Sequence, residues 1–507
     1  MSSASSLSDK REAVTTTVAQ PLLDDNEHKK LLRRIDWRFI PWYMVTYCIM
    51  RIDVGNISNA GVMNSETGHS LRQTLGLTAQ QWAWCLTSFY YTYMFVEPVS
   101  TYFIRLTTPS RWIARIMISW GIVMMCMAAV NNYGGLVATR VLVGLMEGGY
   151  FPCMIYHLSH WYTPFELAPR ILALYAAASV AGAASGFLSW AISFANRPDL
   201  HPPMYGWRWL FLIEGFLPII GGIATIWVLP DFPSTAKWLS AREVEHLALR
   251  MHKDAPKESG KTFDWKESLA IFRDPTWYLF TLIWVLQAVG GYGVSIVLPQ
   301  VVKDMGFVGS ASTNLLQIPP AAATIVFLGI CSELLRRKLV NAFPLVIFMD
   351  LLVIAGYIML QTVTAPGARY FAITLLTAAA GVIYPCLWPR RIQALRGTAG
   401  AALGIGLHNT SAQLSGILGP QLFRVDYAPR YMKSFLAASI MIASVVVLLI
   451  PLWWLIDGDI SSSSWLRWHV QAQTHFRDGD DERDAKREAY KEGDVRREGA
   501  GGVRESA

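Results

Sequence analysis

Residues 434–456 read SFLAASIMIASVVVLLIPLWWLI and contain no charged side chain. A helix of about 20 apolar residues is long enough to cross the hydrocarbon core of a bilayer. The strands of a membrane barrel would instead alternate apolar and polar positions over about ten residues, and the stretch from Val445 to Leu455 does not alternate. This segment therefore predicts a membrane-spanning helix.

Eleven similar segments precede it in the chain. The twelve predicted spans are 39–60, 81–104, 112–131, 135–158, 170–194, 208–229, 276–298, 314–332, 341–361, 370–389, 400–423 and 434–456. Of the 507 residues, 53% are hydrophobic and only 16% are charged, whereas soluble domains carry about 25% charged residues. The sequence predicts an all-α polytopic membrane protein embedded in the lipid bilayer, and it argues against a soluble enzyme.

Basic residues are distributed unevenly among the loops. Lysine and arginine cluster before span 1 and after spans 2, 8 and 10, while the intervening loops 61–80, 132–134 and 299–313 carry one at most. Because basic loops stay in the cytoplasm, both termini are predicted to be cytoplasmic in a multi-pass protein of the cell membrane. The same placement explains the net charge of +7 without a nucleic-acid partner.

A long polar stretch divides the apolar region into two sets of six spans. The predicted organisation is a cytoplasmic N-terminal tail 1–38 without a cleavable signal peptide, a six-helix bundle 39–229, a cytoplasmic central loop 230–275, a second six-helix bundle 276–456 and a disordered cytoplasmic tail 457–507. A Pro-Cys pair stands at matching places in spans 4 and 10, at Pro152-Cys153 and Pro385-Cys386. Two related halves are typical of secondary transporters.

Several motifs of other protein classes are missing. The six cysteines form no C-x-x-C pair, so neither a disulfide framework nor a zinc site is indicated. The chain also lacks a nucleotide-binding G-x-x-x-x-G-K-[ST] loop. We therefore predict no cofactor, no bound metal and no ATP-driven pumping by this chain.

Span 1 carries a polar face inside the predicted membrane region. Asp53, Asn56 and Asn59 follow one another at intervals of three residues, so they share one side of a helix, and Arg51 stands just before them. Ionisable groups in a membrane span mark functional sites by default. We favour the wall of a solute cavity, with interhelical hydrogen bonding as the alternative.

Span 4 carries a second charged face, formed by Arg140 and Glu147 seven residues apart. Arg140 matches Asp53 in predicted depth, so the two side chains could form an ion pair. Glu147 lies deeper and is a candidate proton carrier; a protonated carboxyl that bonds to a neighbouring helix is the equal alternative. His408 in span 11 is a further candidate for the cavity wall, although a packing role is favoured.

Three features receive a structural interpretation. Glu214 begins span 6 near Arg208, Asp350 stands isolated in span 9, and the glycines at 290, 291 and 293 mark a place where span 7 can bend.

The motifs of spans 4 to 6 resemble those of a known family. They are Arg140-Val-Leu-Val-Gly144-Leu-Met-Glu147, the segment from Gly206-Trp207-Arg208-Trp209 to Glu214-Gly215, and Leu229-Pro230-Asp231-Phe232-Pro233. On these residues the chain is similar to the major facilitator superfamily, and within it to the fungal allantoate and nicotinate permeases of the anion:cation symporter family.

The resemblance implies two six-helix bundles around a central cavity, alternating access, a monomer and proton-coupled uptake of small organic anions. It makes Arg140, Arg51, Asn56, Asn59 and His408 candidate substrate-binding residues. Glu147 and Asp53 become the candidate proton-coupling residues.

The sequence also departs from the family pattern. Val54 stands where the family commonly has an arginine for the substrate anion, which predicts an altered substrate preference. Export of a fungal secondary metabolite is therefore the alternative to uptake, and a non-transporting nutrient sensor ranks below both.

Overall fold

A computed structural model describes residues 23–250, 275–292, 315–337, 339–394, 407–428 and 430–457, with the single positions 272, 295, 298 and 302. Residues 1–22 of the predicted N-terminal tail and 251–271 of the predicted central loop lie outside the described residues. The same holds for Gly293 and for the predicted tail after Asp457.

The described residues fall into two compact units. The first contains everything up to Arg250, with residues 298, 302 and 315–322. Its helices are α1 (Asp25–Val62), α2 (Leu71–Thr74), α3 (Ala79–Leu106), α4 (Pro109–Met127), α5 (Tyr133–Glu147), α6 (Tyr150–Leu158), α7 (Pro164–Ser193), α8 (Gly206–Val228) and α9 (Ala241–Arg250).

The second unit contains Pro275–Tyr292 and the described residues from Ala323 onward. Its helices are α10 (Pro275–Gln287), which continues into a π-helical segment (Ala288–Tyr292), α11 (Ile318–Arg336), α12 (Ala342–Thr362), α13 (Pro366–Ala394), α14 (Leu414–Leu422) and α15 (Met432–Asp457). The first residues of α11 group with the first unit.

The all-helical fold predicted from the sequence is confirmed. The described residues contain no β-strand, only an isolated bridge between Arg197 and Met204. Each predicted span overlaps with described helical residues. Among the described residues, six helices are long and apolar enough to cross a membrane on composition alone: α7 from Pro169, α8, α11 up to Leu335, α12, α13 up to Trp388 and α15. This arrangement is consistent with twelve spans.

Local sequence signals explain where the helices of the first unit begin. Asp24 precedes α1 and accepts a hydrogen bond from the Glu27 N–H, while Thr78 does the same for Gln81 ahead of α3. In each case the side chain three residues on bonds back to the capping residue, which satisfies amide groups that the first helical turn leaves without partners.

The predicted fourth span is interrupted in its middle. Helix α5 ends at Glu147 and α6 begins at Tyr150. Between them Gly149 adopts a φ of 138°, and a Cβ at this position would collide with the Ser100 side chain. The chain turns at Gly148-Gly149 because glycine alone adopts this backbone conformation without strain.

Helices of the first unit approach one another closely at small residues. α1 packs against α7, α3 against α5, and α4 against α8. A Cβ on Gly121 of α4 would lie 2.6 Å from the Gly215 carbonyl oxygen of α8. Close approach of backbones at glycine is the common packing mode of membrane helices, and it fixes the three helix pairs that carry the polar residues described below.

In the second unit α12 packs against both α13 and α15. The π-helical segment lies against α14 and α15, and a Cβ on Gly290 would meet the Ala438 carbonyl oxygen of α15 at 3.2 Å. The Tyr357 hydroxyl of α12 donates to the Gly290 carbonyl oxygen. The π-helical segment is thus held by α12 on one side and by α15 on another.

Candidate functional site

The polar face of α1 points into the first unit. Asp53, Asn56 and Asn59 are all at most 1% exposed. The Asp53 carboxylate accepts a hydrogen bond from Trp120 Nε1 of α4 at 2.8 Å and a longer one from Asn56 Nδ2 at 3.4 Å. Asp53 is therefore bound to neutral donors.

Arg140 on α5 is buried and does not form the ion pair with Asp53 that matching depth suggested. Its Nε donates to the Cys85 carbonyl oxygen at 3.2 Å, and its guanidinium carbon lies 4.6 Å from the centre of the Phe89 ring. No salt bridge among the described side chains joins Arg140 to an acid. Both contacts come from α3, because Gly144 lets α5 approach the Phe89 backbone.

Glu147 is the last residue of α5 and is fully buried. Within the described part of the chain neither of its carboxylate oxygens has a hydrogen-bonded partner. The charges that act on it come from Asp53, Arg140 and Arg51. An acid without a donor, held among two cations and a second acid, is a suitable place for a proton to bind and leave.

Two tyrosines of α3 belong to the same cluster, and sequence reasoning did not identify them. The charges of Arg51, Arg140 and Glu147 all act on buried Tyr90, and those of Arg51 and Glu147 act on buried Tyr93. A tyrosine hydroxyl both donates and accepts hydrogen bonds. We call these five residues, Arg51, Tyr90, Tyr93, Arg140 and Glu147, the α3–α5 polar cluster.

Asn59 lies at the far end of the α1 polar face and is bonded on both sides. Its Nδ2 donates to Ser185 Oγ of α7 at 2.8 Å, and its Oδ1 accepts from Gln317 Nε2 at 2.8 Å. Gln317 groups with the first unit. The amide of Asn59 is thus engaged in bonds between elements of its own unit.

His408 belongs to the second unit and is fully buried. Its Nε2 lies 3.1 Å from Thr281 Oγ1, and its ring meets those of Trp277, Phe280 and Trp284 nearly at right angles. The other predicted site residues lie on α1 and α5 of the first unit. His408 instead packs against three aromatic side chains of α10 in the second unit.

Glu214 is a buried acid whose surroundings the sequence did not reveal. Nearby Arg208 turns instead to Asn131 Oδ1, at 2.6 Å. Glu214 is fully buried, its two oxygens have no hydrogen-bonded partner in the described ranges, and the charge of Asp53 acts on it. Only the six-residue spacing from Arg208, which puts the two side chains on different helical faces, signalled that they would not pair.

The α3–α5 polar cluster combines the groups needed to bind an organic anion and a proton. Two arginines supply positive charge, two tyrosines supply hydroxyls, and Glu147 can exchange a proton. Among the described residues no group of three or more His, Cys, Asp or Glu side chains is placed to hold a metal ion. The groups of the cluster can act on a solute through charge and hydrogen bonds.

Comparison with known proteins gives a consistent picture. A family model described as the Major Facilitator Superfamily matches residues 44–420. Similar sequences include the uncharacterized transporter C11D3.18C of Schizosaccharomyces pombe, 30% identical over 81% of this chain and 80% of the relative. The MFS-type transporter cnsO of Penicillium expansum is 28% identical over 84% of this chain and 85% of its own length.

The fold is also found among solved structures. The crystal structure of a bacterial homologue of the human lysosomal transporter Spinster, in an inward-facing and occupied conformation, superposes with a TM-score of 0.60. The match covers 82% of this chain and 96% of that one at 14% identity. At this identity the likeness establishes the shared fold.

Proposed function

We propose, from the premise that this chain belongs to the Major Facilitator Superfamily, that it takes up a small organic anion of the carboxylate type together with a proton. The family and the fungal relatives support a membrane transporter of a small solute. The substrate class, the proton and the direction of transport are our proposal.

The α3–α5 polar cluster is the observation that carries this proposal. Arg51 and Arg140 act on the same tyrosine, Tyr90, so their positive charges converge on one region of the first unit. Glu147 lies in that region without a hydrogen-bonded partner among the described residues. A carboxylate substrate would be attracted by the arginines, and protonation of Glu147 would remove the negative charge that competes with it.

Uptake measurements test the proposal directly. Cells that express the chain are given a panel of radiolabelled organic acids at acidic and at neutral external pH, with and without a protonophore. We expect accumulation at acidic pH that the protonophore abolishes. An expressed protein that reaches the cell surface and accumulates none of the acids under any condition contradicts uptake of an organic anion.

Two substitutions assign the roles within the cluster. Arg140→Ala should abolish uptake while the protein is still expressed. Glu147→Gln should abolish accumulation against a gradient but leave exchange of internal for external substrate, because the glutamine is permanently neutral. The matched controls are Arg337→Ala and Glu333→Gln. They break a largely exposed ion pair between Glu333 in the last turn of α11 and Arg337 directly after it, and they should leave both assays unchanged.

Export of a fungal secondary metabolite is the second candidate. The observation that favours it is Val54, which packs against the apolar core of the first unit. It supplies no positive charge at the position where the allantoate and nicotinate permeases commonly have an arginine. In this case vesicles loaded with candidate metabolites should lose them faster when the protein is present. Cells that express the protein should accumulate none of the radiolabelled organic acids.

A further inference from the structure

Two polar side chains meet in the interior of the second unit. Asp350 lies in the middle of α12, and Gln287 is the last residue of α10. Both are fully buried, and Gln287 is the neighbouring polar side chain that acts on the Asp350 carboxyl. Even so, no atom of the described chain completes a hydrogen bond with either side chain.

The charged groups on the helices packed against α12 lie towards helix ends. They are Arg369, Arg390 and Arg391 on α13, and Lys433 and Asp457 on α15. The tyrosines nearer the middle, Tyr357 and Tyr384, donate their hydroxyls to the carbonyl oxygens of Gly290 and Trp284.

Two contacts show how far the half-buried Arg390 and the buried Arg391 of α13 are from Asp350. Arg390 donates to Asn341 Oδ1 at 2.8 Å, just before α12, nine residues and so roughly 13 Å of helix rise from Asp350. Arg391 lies over the Phe280 ring, seven residues and about 10 Å of rise before Gln287. Neither position allows a direct ion pair with Asp350.

An ionised carboxylate in these surroundings would be buried without a cation, which is unfavourable. The neutral acid fits them. Its O–H can donate to the amide oxygen of Gln287 while the amide N–H₂ donates to its carbonyl oxygen, so that both side chains satisfy each other. We propose that Asp350 is a proton-binding site of the second unit, which holds its proton as a carboxylic acid paired with the Gln287 amide.

The proposed site lies where α10 changes its helical pitch. Gln287 directly precedes the π-helical segment, and single π-helical turns occur frequently at functional sites. Tyr357, which bonds to Gly290 within that segment, lies seven residues beyond Asp350 and hence on the same face of α12. A Cβ on Gly291 would lie 2.8 Å from the Gln287 amide nitrogen, so glycine there leaves the amide its room.

This geometry couples the proton to the π-helical segment that follows α10. With the proton present, α12 holds the π-helical segment through Tyr357–Gly290 and the residue just before it through Asp350–Gln287. Loss of the proton removes the acid O–H donor and leaves a buried negative charge, which favours a rearrangement of the segment that admits water. The proposal goes beyond the proposed function, because this site lies in the second unit and does not involve Glu147.

Infrared spectroscopy of the purified, reconstituted protein tests this without a substrate. A protonated buried carboxyl gives a C=O stretching band that shifts on exchange into D₂O. We expect Asp350→Asn to lose one such component at neutral pH, and Gln287→Leu to keep it at a shifted frequency. Glu333→Gln should leave the carboxyl region unchanged.

The outcomes separate this proposal from the proposed function. A spectrum of Asp350→Asn that overlays the wild-type spectrum over the whole pH range would overturn the proton site, and an unshifted band in Gln287→Leu would overturn the pairing. Should Asp350→Asn fail to fold, the Asp53→Asn protein is grown with carboxyl-isotope-labelled aspartate. Asp53, the buried aspartate of the first unit, then makes no contribution, and the isotope shift of the buried carboxyl band reports on Asp350. Failure of proton-coupled uptake would leave these bands unaffected.

Discussion

Arg140 makes two contacts that depend on the shape of its guanidinium group. One is the hydrogen bond from Nε to the Cys85 carbonyl oxygen, and the other is the position over the Phe89 ring. Lysine keeps the charge but lacks the planar group with several fixed donors. We therefore expect Arg140→Lys to lower the unfolding free energy by about 1–2 kcal/mol, measured as a lower melting temperature of the purified protein.

The matched control for this substitution is Arg337→Lys. Arg337 is largely exposed and pairs with Glu333 four residues away, and exposed pairs contribute about 0–1 kcal/mol. Equal melting temperatures for the two lysine variants would show that the Cys85 and Phe89 contacts do not stabilise the first unit.

At the scale of elements, the break between α5 and α6 depends on Gly149. An alanine there would have to adopt a φ of 138° and would collide with Ser100. Gly149→Ala should therefore destabilise the protein by about 2–4 kcal/mol and lower both the yield and the melting temperature.

Substitutions at two other glycines separate the effect of the positive φ from the effect of the collision with Ser100. Gly68 has a φ of 79° but open space around its Cβ position, and Gly367 has open space without a positive φ. We expect Gly68→Ala to cost about 1–2 kcal/mol for the backbone alone and Gly367→Ala to be nearly neutral. If the Gly149→Ala and Gly68→Ala proteins have the same melting temperature, the collision with Ser100 contributes nothing to the destabilisation.

Helix α9 is held on the predicted cytoplasmic side by a group of titratable residues. Arg250 bonds to Glu166 Oε1 at 2.7 Å and to His28 Nδ1 at 3.0 Å, and His246 lies 3.4 Å from His28. Burial, and then the charge of Arg250, lower the pKa of both histidines below 6.5. Burial acts to raise the pKa of Glu166, but hydrogen bonds from Thr163 and Arg250 outweigh it and lower this pKa.

These shifts fix the sign of a pH effect on α9. Undocking of α9 would return His246 of α9 and His28 of α1 to their ordinary affinity for protons. The undocked form therefore binds more protons than the docked form in mild acid. Docking is then strongest above pH 6.5 and weakens as the pH falls through that value; protonation of Glu166 weakens it further in stronger acid. Hydrogen exchange of the α9 amides, corrected for intrinsic rates, should accelerate on acidification.

Substitution of one histidine checks the assignment. His28→Gln should reduce the acid-dependent part of the exchange, whereas His69→Gln, which alters a histidine bonded to Asn196 at a different place in the first unit, should leave it unchanged. An acid response of the same size in all three proteins would place its origin outside this group.

The helices followed from the sequence because one physical signal, apolar length, determines them. The interruption of span 4 did not, because a hydropathy pattern contains no information about the φ of Gly149. For the candidate site, the faces of α1 and α5 followed from residue spacing. The partners did not: Asp53 bonds to Trp120, sixty-seven residues away, and Arg208 bonds to Asn131, seventy-seven residues away.

At the scale of the whole molecule, orientation in the membrane depends on charge and not on helix packing. Basic residues before span 1 and after spans 2, 8 and 10 predict that both termini and the segment after α8 are cytoplasmic. The short loop between α1 and α3 is then outside. Thr67 in that loop and Lys237 after α8 are both exposed, so each can report the side on which it lies.

Cysteine labelling tests this orientation. In a background whose six native cysteines are replaced by serine, Thr67→Cys should react with a membrane-impermeant maleimide in intact cells. Lys237→Cys should react only after the cells are permeabilised, because the positive-inside arrangement puts it behind the bilayer. The cysteine-free parent is the control for background labelling. The reverse pattern would mean that the orientation in the membrane is inverted. Labelling of both positions in intact cells would contradict an odd number of membrane crossings between them.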